Sequence, residues 1–472
     1  MISVPIQIDH AAEIPVRAQI SGAYALAIRA GDLPAGAQLP SVRALSSRLG
    51  VSPATVVAAY RELCTSGLVT ASPRSAFRVA GGGKRGTIGT QERKEWQLNR
   101  IEPDLRIHPV AEFARLLFEL ASSDCSIGGY EEYRGHTGLR EAIADLDRDI
   151  GIDSDPATGL LVTSGAQQAL TLIARALRDL GPDMPVAIED PCYPGARMAF
   201  ANAGARIVPV RMTDDGPDPD SLQRLAVPGA IAAFYCCPTY CNPTGRTWSE
   251  AARQRVMQAA SDGGFLIIED DYLGDLDYLH ETPTRLAALA PRFPKARVTR
   301  IRTFSKCLLP ALRLASVSGE ATFINRLLSL KVADDLCCSA FLQRALARFI
   351  RQGAYQRHLE RVRPRYRQTR ESLRAALGSL KASVTFDDPP AGLCLLGRVG
   401  GDIDPNRFVS ECEKVGLLIS PGSDYWHRPS DGADRFRIGF GSLAPDEIPA
   451  VIAAIEQAAT ASTVFSGGHS IL

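Results

Sequence analysis

From about residue 100 to the end, short apolar runs alternate with longer stretches of helical periodicity, and this alternation limits the possible folds more than any other feature of the chain. The runs lie at 160–162, 186–188, 207–210, 230–235, 265–268, 298–301 and 314–317. Strands joined by crossover helices predict a mostly parallel sheet covered by helices, an α/β architecture. The stretch from roughly 380 has strands of its own and a closing helix at 448–459, which predicts a smaller C-terminal α+β lobe.

Residues 14–80 read as a separate unit. Val16, Ile20, Tyr24 and Ala27-Ile28 recur at helical spacing, and the helix stops at Gly31-Asp32-Leu33-Pro34. Ser41 is suited to cap a second helix that turns Leu45 and Leu49 inward and ends at Gly50. Ser52 caps a third, with Pro53 at its first position and Val56, Tyr60 and Leu63 facing the core. Two helices across a glycine turn form a helix-turn-helix. The segments 68–70 and 76–79, joined through Ser72-Pro73-Arg74-Ser75, predict a two-stranded wing. Residues 81–99, rich in Gly, Lys, Arg, Thr, Gln and Glu, have the composition of a linker, so a second domain is expected over 100–460.

At 472 residues the chain exceeds the size at which one core keeps growing, which agrees with at least two domains. Hydrophobic residues at 45% and a net charge of +1 describe a globular protein whose nucleic-acid footprint, if any, is local. Eleven cysteines show neither Cys-x-x-Cys metal spacing nor a disulfide ladder, so reduced thiols and no metal are expected. The start, Met1-Ile2-Ser3-Val4-Pro5, lacks a basic region followed by an apolar one, and no apolar run is long enough to span a bilayer. A cytoplasmic protein without a membrane partner is expected.

The run Thr303-Phe304-Ser305-Lys306-Cys307-Leu308-Leu309-Pro310-Ala311-Leu312-Arg313 carries the chemistry. A lysine flanked by hydroxyls and followed by an arginine can form an imine with an aldehyde while its neighbours hold a phosphate, which are the needs of pyridoxal phosphate. In Val162-Thr163-Ser164-Gly165-Ala166-Gln167 a strand enters a helix through small residues, and backbone N–H groups at such a start bind phosphate. Glu269-Asp270-Asp271-Tyr272 puts carboxylates at the carboxyl edge of the sheet, where open α/β sheets bind ligands. A buried carboxylate there keeps a pyridine nitrogen protonated, and Tyr193 offers a ring to stack on the pyridine face. For DNA, Arg43 and Arg48 on the second helix, Thr55 and Arg61 on the third, and Arg74 and Arg78 on the wing supply contacts, with Ser41 and Ser52 as hydroxyl or amide donors.

These motifs resemble two families joined in one chain. The N-terminal unit resembles the GntR-type winged helix, and residues 100–460 resemble fold type I aminotransferases, the combination found in the MocR family of regulators. The resemblance implies that Arg313, Thr303 and Ser305 complete a phosphate cup, that Asp270 faces the pyridine nitrogen, and that Tyr272 and Asn242 of Asn242-Pro243-Thr244-Gly245 bond the phenolic oxygen. It also implies a homodimer, because the family places a tyrosine from the partner subunit on the phosphate and Tyr130 matches that position. Arg437 matches the arginine that grips a substrate carboxylate, and Arg197 is expected as a second anion contact. Where the family usually has a histidine, this chain has Cys394.

The expectation is a regulator that binds operator DNA and senses a small amino compound through imine exchange at Lys306. Two alternatives are an active aminotransferase with a vestigial winged helix, and a sensor of pyridoxal phosphate itself.

Overall fold

The computed structural model describes residues 6, 8, 15–29, 33–34, 36–65, 68–70, 77–79, 95–181, 183–279, 284–380, 383–389 and 391–463. The chain divides into two compact units, Met1–Glu92 and Arg93–Leu472.

In the first unit, helices α1 (Val16–Arg29), α2 (Val42–Leu49) and α3 (Pro53–Thr65) pack around Ile20, Tyr24, Leu45, Val56, Tyr60 and Leu63. Ser41 caps α2 by accepting a hydrogen bond from Ala44 N at 3.2 Å, and Gly50 ends it at φ 65°, the left-handed conformation that suits glycine. Strands β1 (Val69–Thr70) and β2 (Arg78–Val79) pair antiparallel as the wing. The tip between them, including Arg74, lies outside the described residues.

The second unit begins earlier than its composition suggested. Strand β3 (Trp96–Gln97) pairs parallel with Leu417–Leu418, so residues 95–99 belong to this unit and not to a linker; the rest of the predicted linker, 81–94, lies outside the described residues. The strands that follow are β4 (Leu160–Thr163), β5 (Val186–Asp190), β6 (Ile207–Thr213), β7 (Gly216–Pro217), β8 (Ala233–Cys236), β9 (Leu266–Asp271), β10 (Arg297–Thr303) and β11 (Ala315–Ser318). They form one sheet in the order β4-β11-β10-β9-β8-β5-β6-β7. Two strands depart from the parallel set: β11 runs against both neighbours and β7 against β6.

Side chains alternate across this sheet, and each face has its own helical cover. Tyr235, Ile268 and Ile301 share a core with Leu170, Ile173 and Leu177 of helix Ala166–Leu180. Phe234 and Ile267 instead pack with Val256, Met257 and Ala260 of helix Glu250–Gly263. Each fully buried aliphatic side chain of this kind stabilises the fold by roughly 1.5–3 kcal/mol. The smaller lobe holds β12 (Val384–Phe386), β13 (Cys394–Val399), β14 (Leu417–Leu418), β15 (Ser420–Pro421) and β16 (Arg435–Gly439), with an antiparallel sheet in the order β12-β13-β16-β15 and a closing helix Ile448–Ala461. Among the described residues, no helix is long and apolar enough to cross a membrane.

Candidate functional site

A cavity of about 490 Å³ opens at the carboxyl edge of the large sheet. Lys306, Thr303, Ser305, Arg313, Asp270, Tyr272, Asn242, Tyr193, Ala166, Gln167 and Arg437, all singled out from the sequence, line it. Their convergence follows from strand order, because β8, β9 and β10 are adjacent and their ends deliver Tyr235, Asp270 and Thr303 to one place.

Of the acidic run on β9, period-two alternation sends Glu269 and Asp271 to one side and Asp270 to the other. Glu269 accepts from the backbone N–H of Leu286 at 2.8 Å and of Ala287 at 3.0 Å, and Asp271 meets Arg300 at 2.6 Å. Burial alone would raise Asp271, but Arg285 and Arg300 hold it below the usual carboxylate range. Among the described residues, no cation forms an ion pair with Asp270. Burial pushes it up to about 6 despite a 2.7 Å hydrogen bond donated by Tyr235 to its Oδ2, and its Oδ1 is buried without a partner.

Burial lowers the basicity of Lys306, which keeps more of its amine in the unprotonated, nucleophilic form. Arg313 stands in the left-handed region at φ 47°, a conformation that costs a non-glycine residue of order 1 kcal/mol or more and that clusters at functional sites. Its guanidinium lies so close to Gly165 that a Cβ there would sit 2.5 Å from Nη2. Gly165, itself at φ 88°, is not in the lining but lies against Arg313 and caps helix Ala166–Leu180, whose first residues, Ala166 and Gln167, line the cavity. Tyr193 is fastened by its hydroxyl to Gln167 Oε1 at 3.3 Å.

At the opposite end Arg437 is 3% exposed. One of its terminal nitrogens donates to Ser420 Oγ at 2.9 Å and also to the backbone oxygen of Asn99, while its Nε is buried with no partner among the described residues and its guanidinium lies 5.5 Å from the Tyr425 ring centre.

Arg197, Tyr272 and Cys394 each have partners within the protein. Arg197 donates to the carbonyl oxygens of Trp426, at 2.6 Å, and of Asp424, and it does not line the cavity; backbone acceptors have taken the hydrogens expected for an anion. The Tyr272 hydroxyl donates its one hydrogen to Tyr240 O at 2.8 Å, so it can only accept at the cavity. Cys394 packs behind the Asn242-Pro243 turn, with its thiol 3.5 Å from Pro243 O, and does not line the cavity. Tyr130 is 85% exposed and lies outside the lining of its own chain's cavity.

Sequence reasoning missed Tyr235, Asn99, Arg100, Glu102 and Tyr425, which also line the cavity. Tyr235 could have been found as the polar end of an apolar run beside the acidic strand. Asn99 and Glu102 carried no motif and are brought in by long-range contacts, such as the 2.7 Å hydrogen bond from Gly439 N to Leu98 O.

The residues fit a phosphorylated pyridine aldehyde. Arg313 with Thr303, Ser305 and the helix start suits the phosphate, Asp270 Oδ1 awaits a ring N–H, Asn242 Oδ1 is buried without a partner, and Lys306 supplies the amine.

In the first unit, Arg43, Arg48 and Arg61 are exposed, and Ser41 and Ser52 serve as helix caps. Thr55 Oγ1 lies 2.8 Å from Ser52 Oγ, a local bond at the start of α3. Arg78 is engaged locally too, donating to Gly36 O at 3.1 Å.

Residues 103–455 match the family model for aminotransferase class I and II, and residues 22–79 match that for bacterial regulatory proteins of the gntR family. The probable rhizopine catabolism regulatory protein MocR of Rhizobium meliloti is 27% identical, over 89% of this chain and 90% of that protein. Aromatic-amino-acid aminotransferase 1 of Thermococcus litoralis is 30% identical, over 67% of this chain and 76% of the enzyme. Among solved structures, kynurenine aminotransferase of Pyrococcus horikoshii, crystallised with PMP, superimposes with a TM-score of 0.71 at 25% identity, covering 78% of this chain and 92% of the enzyme.

Proposed function

The chain belongs to the aminotransferase class I and II family and carries a gntR-type helix-turn-helix unit, the architecture of MocR-type regulators, and from this premise we propose a pyridoxal-phosphate-dependent transcriptional regulator that senses an amino compound. The observation that carries the reading is one cavity holding Lys306, Asp270, Arg313 and Arg437 in a chain that also has a DNA-reading unit.

When bound, pyridoxal phosphate supplies an aldehyde that exchanges between amines and a ring that withdraws electrons. Arg313, Thr303 and Ser305 bind its phosphate, and Asp270 holds a proton at the ring nitrogen. Tyr235 orients Asp270, and Tyr193 covers the ring. Asn242 orients the phenolic oxygen. Lys306 offers an amine whose proton affinity burial has lowered. Arg437, with an unpartnered Nε, grips the acid group of the incoming compound in a charge-assisted bond. Effector and operator then influence each other through a coupling free energy, as two sites on one molecule must if they share conformational states. Work on a chromosome places the protein in the cytoplasm.

We propose a homodimer as the working form. Phe118, Tyr130 and Tyr133 are large apolar or aromatic side chains exposed on one stretch of chain, and Tyr130 would complete the phosphate site of the partner.

A second reading, a working aminotransferase, draws support from Asn242, Asp270 and Lys306 all lining the cavity. An absorbance titration with a panel of amino acids, with and without operator DNA, separates the two. Spectral changes that alter DNA affinity without turnover support the regulator. Repeated turnover of amino acid and 2-oxo acid, with no fragment bound better than random DNA, supports the enzyme.

A further inference from the structure

We infer that the compound read by this cavity is a diamino acid, whose second ammonium group is held by Glu102 and Asn99. The inference rests on the reading of the cavity as a sensor of amino compounds, and it names the chemical class.

Among the described residues, the cavity lining holds two carboxylates, Asp270 and Glu102. Asp270 is buried at the end of β9, with Tyr235 donating to one oxygen and the other suited to a ring nitrogen. Glu102 is therefore the carboxylate left to read the ligand itself. Burial lowers the basicity of Lys306 and the charge of Glu102 counters it, so the two groups of this lining interact.

Asn99 adds an independent observation. Asn99 lines the same cavity, and its Oδ1 is buried with no hydrogen-bond partner among the described residues. A buried acceptor of this kind costs free energy until a donor reaches it. The segment that carries both residues is held firmly: Leu98 O accepts from Gly439 N at 2.7 Å, and a Cβ on Gly439 would sit 2.1 Å from Arg100 O. Asn99 also accepts through its backbone oxygen from Arg437. A ligand whose acid group meets Arg437 thus has two further acceptor residues, Asn99 and Glu102, in the same lining.

Asn99 alone would accept any donor. Glu102 selects a cation, because an ammonium-carboxylate contact is charge-assisted while an acidic side chain would be repelled. Among the described residues Glu102 pairs with Arg100 at 3.3 Å, and the two side chains are 43% and 64% exposed. Exposed pairs are weak and readily exchanged, so a ligand ammonium can displace Arg100.

The test titrates the full-length protein, loaded with pyridoxal phosphate, by absorbance and by calorimetry. The ligands are ornithine and 2,4-diaminobutyrate, compared with norvaline, glutamine and glutamate. At least one diamino acid is expected to bind tenfold or more tightly than norvaline, and glutamate more weakly than norvaline. In Glu102→Gln the diamino-to-norvaline ratio is expected to fall to within threefold, and in Arg100→Ala to rise. If norvaline, glutamine or glutamate equals the diamino acids in the wild-type protein, or if the ratio survives Glu102→Gln, the inference is overturned while the sensor reading stands. If no compound changes the spectrum or releases heat, the sensor reading fails and takes the inference with it. Should Glu102→Gln not fold, the wild-type ratio and the direction of the Arg100→Ala change decide.

Discussion

Tyr235 donates a 2.7 Å hydrogen bond to Oδ2 of Asp270, and this contact leaves Oδ1 as the buried acceptor at the floor of the cavity. The two residues come from adjacent strands, so the hydroxyl fixes the carboxylate before any cofactor arrives. Preorganisation of this kind lowers the cost of binding a protonated ring.

Asp270 makes a pH prediction with a definite sign. Its carboxyl is raised by burial to about 6, above its ordinary value of 3.8. Between those values the cofactor-free folded state holds a proton that the unfolded state has lost, so stability falls as pH rises through the window. Asp270→Asn cannot lose that proton. The difference in unfolding free energy between the cofactor-free variant and wild type should therefore shift in the variant's favour from pH 4 to pH 7, by on the order of 1–3 kcal/mol. Denaturant melts across that range measure it, and a flat difference would refute the assignment.

Lys306 should be the point of cofactor attachment. Borohydride reduction followed by mass spectrometry is expected to find the pyridoxyl group on Lys306 and not on Lys331 or Lys295. Lys306→Ala should retain the circular dichroism of the wild type and lose the attachment.

Gly165→Ala tests the phosphate end. The new methyl would meet Arg313 at 2.5 Å, on a backbone held at φ 88°. A stability loss of about 1–2 kcal/mol is expected from the left-handed conformation alone, together with weaker cofactor capture as Arg313 is displaced. Cofactor titration of the variant measures the second effect.

Truncating Arg437 to alanine should leave the cofactor spectrum in place and weaken the effector by roughly 1.5–3 kcal/mol, the scale of a hydrogen bond to a charged group. An unchanged effector titration would favour a sensor of the cofactor itself.

Arg43 is exposed on α2. If it meets a DNA phosphate, Arg43→Ala should reduce operator affinity and lower the log–log salt slope by about 0.9. Thr55→Ala should change base preference if the hydroxyl leaves Ser52 for a base edge, and should only loosen the start of α3 if it does not.

Local rules made much of this protein legible in its sequence. Ser41, Gly50, Ser52 and Pro53 act within a turn of where they stand, so the helices of the first unit could be bounded from them alone. The apolar runs became the strands of the large sheet for the same reason, and Lys306, Asp270 and Arg313 were found because their chemistry is carried in short contiguous motifs. What only tertiary structure decided is which polar groups are already spoken for and which distant segments enter the site. Arg197 had the right chemistry, yet the carbonyls of Asp424 and Trp426, more than 220 residues away, take its hydrogens. Asn99 and Glu102 lay in or beside a presumed linker, and they reach the cavity because backbone hydrogen bonds to β16 and β14 dock that segment. Hydrogen-bond satisfaction is a property of three-dimensional neighbours, and neither residue type nor spacing along the chain encodes it.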